Sequence, residues 1–104
     1  MSASETIYKE EVITSTEKEL KEPPMYKVIL HNDDYTTMDF VVQILKTVFN
    51  KPHEKAVQIM LEVHKKGYGV CGVYPAEVAE TKVAIVHYLA RENEFPLKCS
   101  MEEV

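Results

Sequence analysis

Apolar and polar positions change period several times along this chain, and each change marks an element. From Tyr26 to Asn32 they alternate: Tyr26, Val28 and Leu30 fall on one face, Lys27, Ile29 and His31 on the other. That period predicts a half-buried strand. From Met38 the period lengthens, and Met38, Val41, Val42, Leu45, Val48 and Phe49 form a helical stripe. Thr36, with Asp39 three residues on, is the expected N-cap. Asn50 and Pro52 end the pattern. A second helix is predicted from Pro52 to Lys66, with Ala56, Ile59, Met60 and Val63 at helical spacing. Glu54 at its start and Lys65-Lys66-Gly67 at its end suit the helix dipole and a glycine stop.

Tyr68 to Tyr74 reads as a strand in which Gly69 and Gly72 mark a bulge or a close backbone approach. Pro75 starts a third helix, Ala76 to Asn93, whose stripe of Ala76, Ala79, Val83, Val86 and Ala90 favours close packing on a sheet. Pro96 stops it, and Leu97 to Glu102 is a last short strand. The order β-α-α-β-α-β predicts a single small α+β domain: a three-stranded antiparallel sheet with three helices packed on one face.

Charge and composition refine this picture at the amino terminus. Residues 1–22 carry six acidic and three basic side chains, few large apolar residues and no sustained period. Such a segment cannot bury enough surface to offset its ordering entropy, so residues 1–24, ending at Pro23-Pro24, are expected to be a flexible extension and 25–104 the core. The segment has no apolar signal-peptide core, and no run in the chain approaches a membrane span. A net charge of −5 argues against a nucleic-acid backbone as partner. The two cysteines, Cys71 and Cys99, lie in apolar strands and read as buried free thiols. The expected setting is cytoplasmic.

The densest chemistry is the run His31-Asn32-Asp33-Asp34-Tyr35-Thr36-Thr37-Met38 between the first strand and first helix. Asn and Asp favour turns and helix starts, which is one reading of this loop. The other is cation recognition: carboxylate and amide oxygens stabilise a buried positive charge that apolar walls would exclude. A small ammonium group or a metal would fit. Metal binding by His31, Asp33, Asp34 and His64 is disfavoured because no closely spaced ligand motif is present and strand neighbours point to opposite faces. An EF-hand fails for want of the downstream glycine and glutamate. His64 near the end of the second helix suits the helix dipole. As a neutral imidazole it could also accept a hydrogen bond from an ammonium ligand. No catalytic constellation or phosphate-cradling loop stands out, so neither an enzyme nor a cofactor is expected.

Several stretches taken together resemble the ClpS family, adaptors of the ClpA-type AAA+ unfoldase and the ClpP protease. They are Pro23-Pro24-Met25-Tyr26-Lys27-Val28-Ile29-Leu30, Asn32-Asp33-Asp34-Tyr35-Thr36, Ala76 to Val83, and Ala90 to Glu94 with Pro96-Leu97. The resemblance spans about residues 23–104. It implies an adaptor for N-degrons, substrates that begin with a free Leu, Phe, Tyr or Trp. Carried over by position, Asn32 and His64 would bond the α-amino group and Asp33 would add negative charge. Asp34 and Thr36 would shape the rim and hold the peptide backbone. Met38, Val41, Val63 and Leu97 would line the pocket for the first side chain, with Met38 disfavouring β-branched residues. Glu77 and Lys82 would contact the amino-terminal domain of the unfoldase, and the tail would be a delivery element. On charge pattern alone, Glu77 and Lys82 read as a solvated face.

Three positions depart from the family pattern. Thr37 replaces a usual Pro and implies a looser loop. Pro75 replaces a Thr and removes a capping hydroxyl. His31 replaces an apolar residue and would place a titrating group beside the pocket. The fold is also similar to the C-terminal domain of the ribosomal stalk protein. That gives the rival reading, a general docking module without selectivity for the first residue.

Overall fold

The computed structural model describes residues 23–104; the amino-terminal extension expected from the sequence lies mostly outside these residues. The order is β1 (Met25–His31), α1 (Met38–Thr47), α2 (His53–Lys66), β2 (Tyr68–Pro75), α3 (Ala76–Glu92) and β3 (Lys98–Glu103). β1 is central and pairs antiparallel with both β2 and β3. The alternation in β1 is the one the sequence predicts. Val28 and Leu30 are fully buried under the helices, together with Cys71 of β2 and Cys99 of β3. Among the described residues no polar or charged side chain is buried, and both cysteines are free thiols.

Local chemistry explains the ends of the elements. α1 is capped by Thr37, not by Thr36: the Thr37 hydroxyl accepts the Phe40 N–H at 3.1 Å. Thr36 is turned toward Asp33 instead, to which its N–H and hydroxyl both donate. The residue that replaces the family's proline thus supplies the helix cap. The α1 stripe also runs past its helix, since Val48 and Phe49 follow Thr47 yet remain buried. Pro75 precedes α3 and provides no side-chain cap.

α2 ends at Gly67, whose φ of 92° is the left-handed conformation that glycine adopts without a Cβ penalty. In β2 the register steps from Val28↔Gly72 to Ile29↔Val70, so Cys71 is the extra residue of a bulge. The bulge turns Cys71 into the core while Val70 and Val73 stay exposed on the open face. No helix among the described residues is long and apolar enough to cross a membrane.

Candidate functional site

The polar loop begins where β1 leaves the sheet. The Asn32 N–H donates to the Gly67 carbonyl at 2.9 Å, which ties the loop to the end of α2. Asp33 organises the rest of the turn. Its Oδ1 accepts the Tyr35 and Thr36 N–H groups at 2.8 and 2.7 Å, and its Oδ2 accepts the Thr36 hydroxyl at 2.8 Å. Burial pushes the Asp33 carboxyl up, but the bonds from Thr36 and Tyr35 outweigh it and hold the carboxyl below its usual value. The loop thus keeps a fixed negative charge at neutral pH. Asn32 and Asp34 are exposed beside it, and Thr36 is half-buried.

The apolar residues expected at the site come from three separate segments. Val41 of α1, Val63 of α2 and Leu97 before β3 belong to one buried cluster and are 6%, 3% and 4% exposed. The approach of α1 to the segment before β3 is direct, since the Phe40 and Phe95 rings lie 4.9 Å apart. Val63 is seated against β2 because Gly69 has no side chain: a Cβ there would lie 2.7 Å from Val63 Cγ2. His64 follows Val63 and is exposed in the last turn of α2. Met38 is 46% exposed at the start of α1, so it lies outside the buried stripe that its spacing predicts.

Met60, a core residue by its helical spacing, is half-buried against the same cluster. It lies one turn before Val63 and His64 and shares their face of α2, which i, i+3 and i+4 spacing could have indicated.

His31 does not border this site. It lies on the outer sheet face, where its Nε2 and Ser100 Oγ share a hydrogen bond of 2.6 Å. Adjacent strand residues face opposite ways, so closeness to Asn32 in sequence does not bring His31 to the same side of the sheet. Among the described residues no group of three or more His, Cys, Asp or Glu is placed to hold a metal ion.

Glu77 and Lys82 lie on α3, away from the loop. With Val78, Thr81 and Ile85 they line a hollow of about 320 Å³. Glu77 is exposed, whereas Lys82 is half-buried. Lys82 Nζ donates to the Val48 carbonyl at 2.7 Å and sits 5.7 and 5.3 Å from the Phe49 and Tyr74 ring centroids. It links α3 to the end of α1 and to β2.

The family model described as ATP-dependent Clp protease adaptor protein ClpS matches residues 21–100. The chain belongs to the ClpS family. Among similar proteins, the ATP-dependent Clp protease adapter protein ClpS of Oleidesulfovibrio alaskensis is 60% identical over 104 residues, covering 100% of both chains. That of Syntrophus aciditrophicus is 60% identical over 97 residues, covering 93% of this chain and 91% of the relative. The solved structure of Agrobacterium tumefaciens ClpS2 bound to L-phenylalaninamide superposes with a TM-score of 0.77 at 37% identity, covering 80% of this chain and all of that one. ClpS is a family of protease adaptors and not of enzymes, in agreement with the lack of a catalytic constellation in the sequence.

Proposed function

We propose that this ClpS-family adaptor recognises the free amino terminus of substrates that begin with Leu, Phe, Tyr or Trp. It then delivers them to a ClpA-type unfoldase for degradation by ClpP. The observation that carries this reading is the bond from the Asn32 N–H to the Gly67 carbonyl. It joins the acceptor-rich loop to the helix end that bears Val63 and His64, which supports a polar subsite beside an apolar one.

An α-amino group has a reference pKa of about 7.7–8.0 and is mostly charged at pH 7. Removing it from water requires acceptors. The Asn32 carboxamide oxygen and a neutral His64 imidazole supply them, and the Asp33 carboxylate adds favourable charge. Asp34 and Thr36 shape the rim and hold the peptide backbone. Met38, Val41, Val63 and Leu97, joined by Met60, take the first side chain. Burying a Leu or Phe contributes about 1.5–3 kcal/mol. Met38 crowds the entrance against β-branched side chains. The relative bound to L-phenylalaninamide supports the reading, because that ligand combines a free α-amino group with a bulky side chain.

On α3, Glu77 and Lys82 form the unfoldase-facing surface, and the exposed Val78 and Ile85 give it apolar area. Lys82 acts there in part by fixing α3 against α1. The division into a tail of residues 1–24 and a core of 25–104, with the tail engaged by the unfoldase, belongs to the same proposal, as does a cytoplasmic setting.

The test is binding of fluorescent peptides that begin with Leu, Phe, Ile or Met to wild type, Asn32→Ala and His64→Ala. Tight binding of Leu and Phe alone, weakened by both substitutions, is expected. Equal binding of all four peptides would favour the docking-module reading.

A further inference from the structure

Leu97 is fixed at both ends of a short irregular segment. On one side the Phe95 N–H donates to the Ala90 carbonyl at 2.8 Å, and the Phe95 ring packs on Phe40. On the other side the Cys99 N–H donates to His87 Nε2 at 3.0 Å. The second anchor is unusual. A backbone donor at the start of a strand is held by an imidazole from α3, 12 residues earlier in the chain.

We propose that His87 is a positioning residue for recognition of the first side chain: by accepting the Cys99 N–H it holds Leu97 in the pocket wall, and it does so only as a neutral imidazole. This rests on the pocket described under the proposed function. With Nε2 accepting, the ring proton sits on Nδ1; protonation of Nε2 removes the acceptor and sets two N–H groups against each other. Histidine acquires its charge between pH 5 and 8.

The inner sheet face presents Tyr26 on β1, Cys71 and Tyr74 on β2, and Cys99 and Glu103 on β3. Burial pushes the Cys99 thiol up to about 12, and burial likewise raises Cys71 and Tyr74. Along α3 itself, Arg91 lies one turn beyond His87 and Glu80 two turns before it. His64 is itself assigned to the amine, so a comparison between variants is needed to isolate His87.

The experiment uses the full chain as wild type, His87→Gln and His87→Leu. Gln keeps an acceptor that does not titrate; Leu removes it. Amide exchange at Cys99 and affinity for a Leu-initiated peptide are measured at pH 8 and pH 5.5. At pH 8, Leu should expose the Cys99 amide and weaken binding about three- to tenfold, the scale of one net hydrogen bond, and Gln should restore both. At pH 5.5, wild type should lose more affinity than Gln by a similar factor. Full protection and affinity in the Leu variant would overturn the role of His87 alone. Equal acid losses in wild type and Gln would overturn its pH dependence. Failure of wild type to bind the peptide at pH 8 would overturn the pocket, and the proposal with it.

Discussion

Replacing Lys82 by Met separates a structural from a recognition role at a position that the family pattern assigns to the unfoldase surface. The wild-type ammonium donates to the Val48 carbonyl at 2.7 Å just beyond the end of α1, where the helix dipole also favours a cation. It lies 5.3 Å from the Tyr74 ring and 5.7 Å from the Phe49 ring. A hydrogen bond from a charged donor contributes about 1.5–3 kcal/mol. Cation–π contact adds about 0.5–2 kcal/mol, depending on how dry the site is. Met preserves the packing of the aliphatic stem, so only the ammonium terms are removed. Because the group is half-buried, values near the lower ends apply, and the sum is about 2 kcal/mol. In urea unfolding followed by circular dichroism, the unfolding free energy should fall by that amount at constant slope, which lowers the midpoint in proportion. The melting temperature should drop by about 8–16 °C, taking 4–8 °C per kcal/mol for a domain of this size. A loss below about 0.5 kcal/mol would refute the clamp and return Lys82 to a solvated surface charge.

Three further outcomes are expected at the site. Asp33 has a carboxyl held below its usual value. Its bonds to Tyr35 and Thr36 should therefore persist fully above about pH 4 and be lost as pH falls through the folded-state value. Amide shifts of Tyr35 and Thr36 should titrate with a midpoint below about 3.9, and a midpoint above about 4.5 would contradict the hydrogen-bonded geometry. Gly69→Ala puts a methyl 2.7 Å from Val63 Cγ2. It should cost about 1–3 kcal/mol by overpacking, with part recovered in combination with Val63→Ala, as a double-mutant cycle would measure. Met38→Ala removes a side chain that is 46% exposed. It should change stability by less than about 0.5 kcal/mol while raising affinity for Ile- and Val-initiated peptides, measured by fluorescence anisotropy.

The strand alternation of Val28 and Leu30, the helical stripes and the breakers Gly67 and Pro96 make the fold legible in the sequence, because each is a local signal with a fixed period. Gly69 and Gly72 signal a bulge or a close backbone approach, and β2 has both, with Cys71 as the extra residue and Gly69 against Val63. Legibility fails where two local groups compete or where contacts are distant. Thr36 and Thr37 are equally suited to cap α1; Thr37 accepts the helix N–H, while Thr36 is directed to Asp33. Lys82 and Val48 are 34 residues apart, and no periodic pattern announces such a bond. The Cys99 bond to His87 is of the same kind. For His31, nearness to the loop in sequence points to the pocket, whereas the strand alternation turns the side chain to the outer face. The proposed site residues Asn32, Asp33 and His64 stand out through the family resemblance. Their residue types alone would equally describe a turn and a helix end.

The central claim, that a charged α-amino group and a bulky first side chain are recognised together, is tested most directly by competition. A Leu-initiated peptide and its amino-acetylated form would be titrated against the full chain at about pH 7.5, where the free amine is still largely charged. Acetylation removes the charge and the donors facing Asn32 and His64 while leaving the side chain intact. Two charge-assisted bonds at the low end of their range correspond to about a hundredfold, so the acetylated peptide should bind at least that much more weakly. A difference of less than about threefold would show that the loop does not read the amino terminus, and would contradict the account.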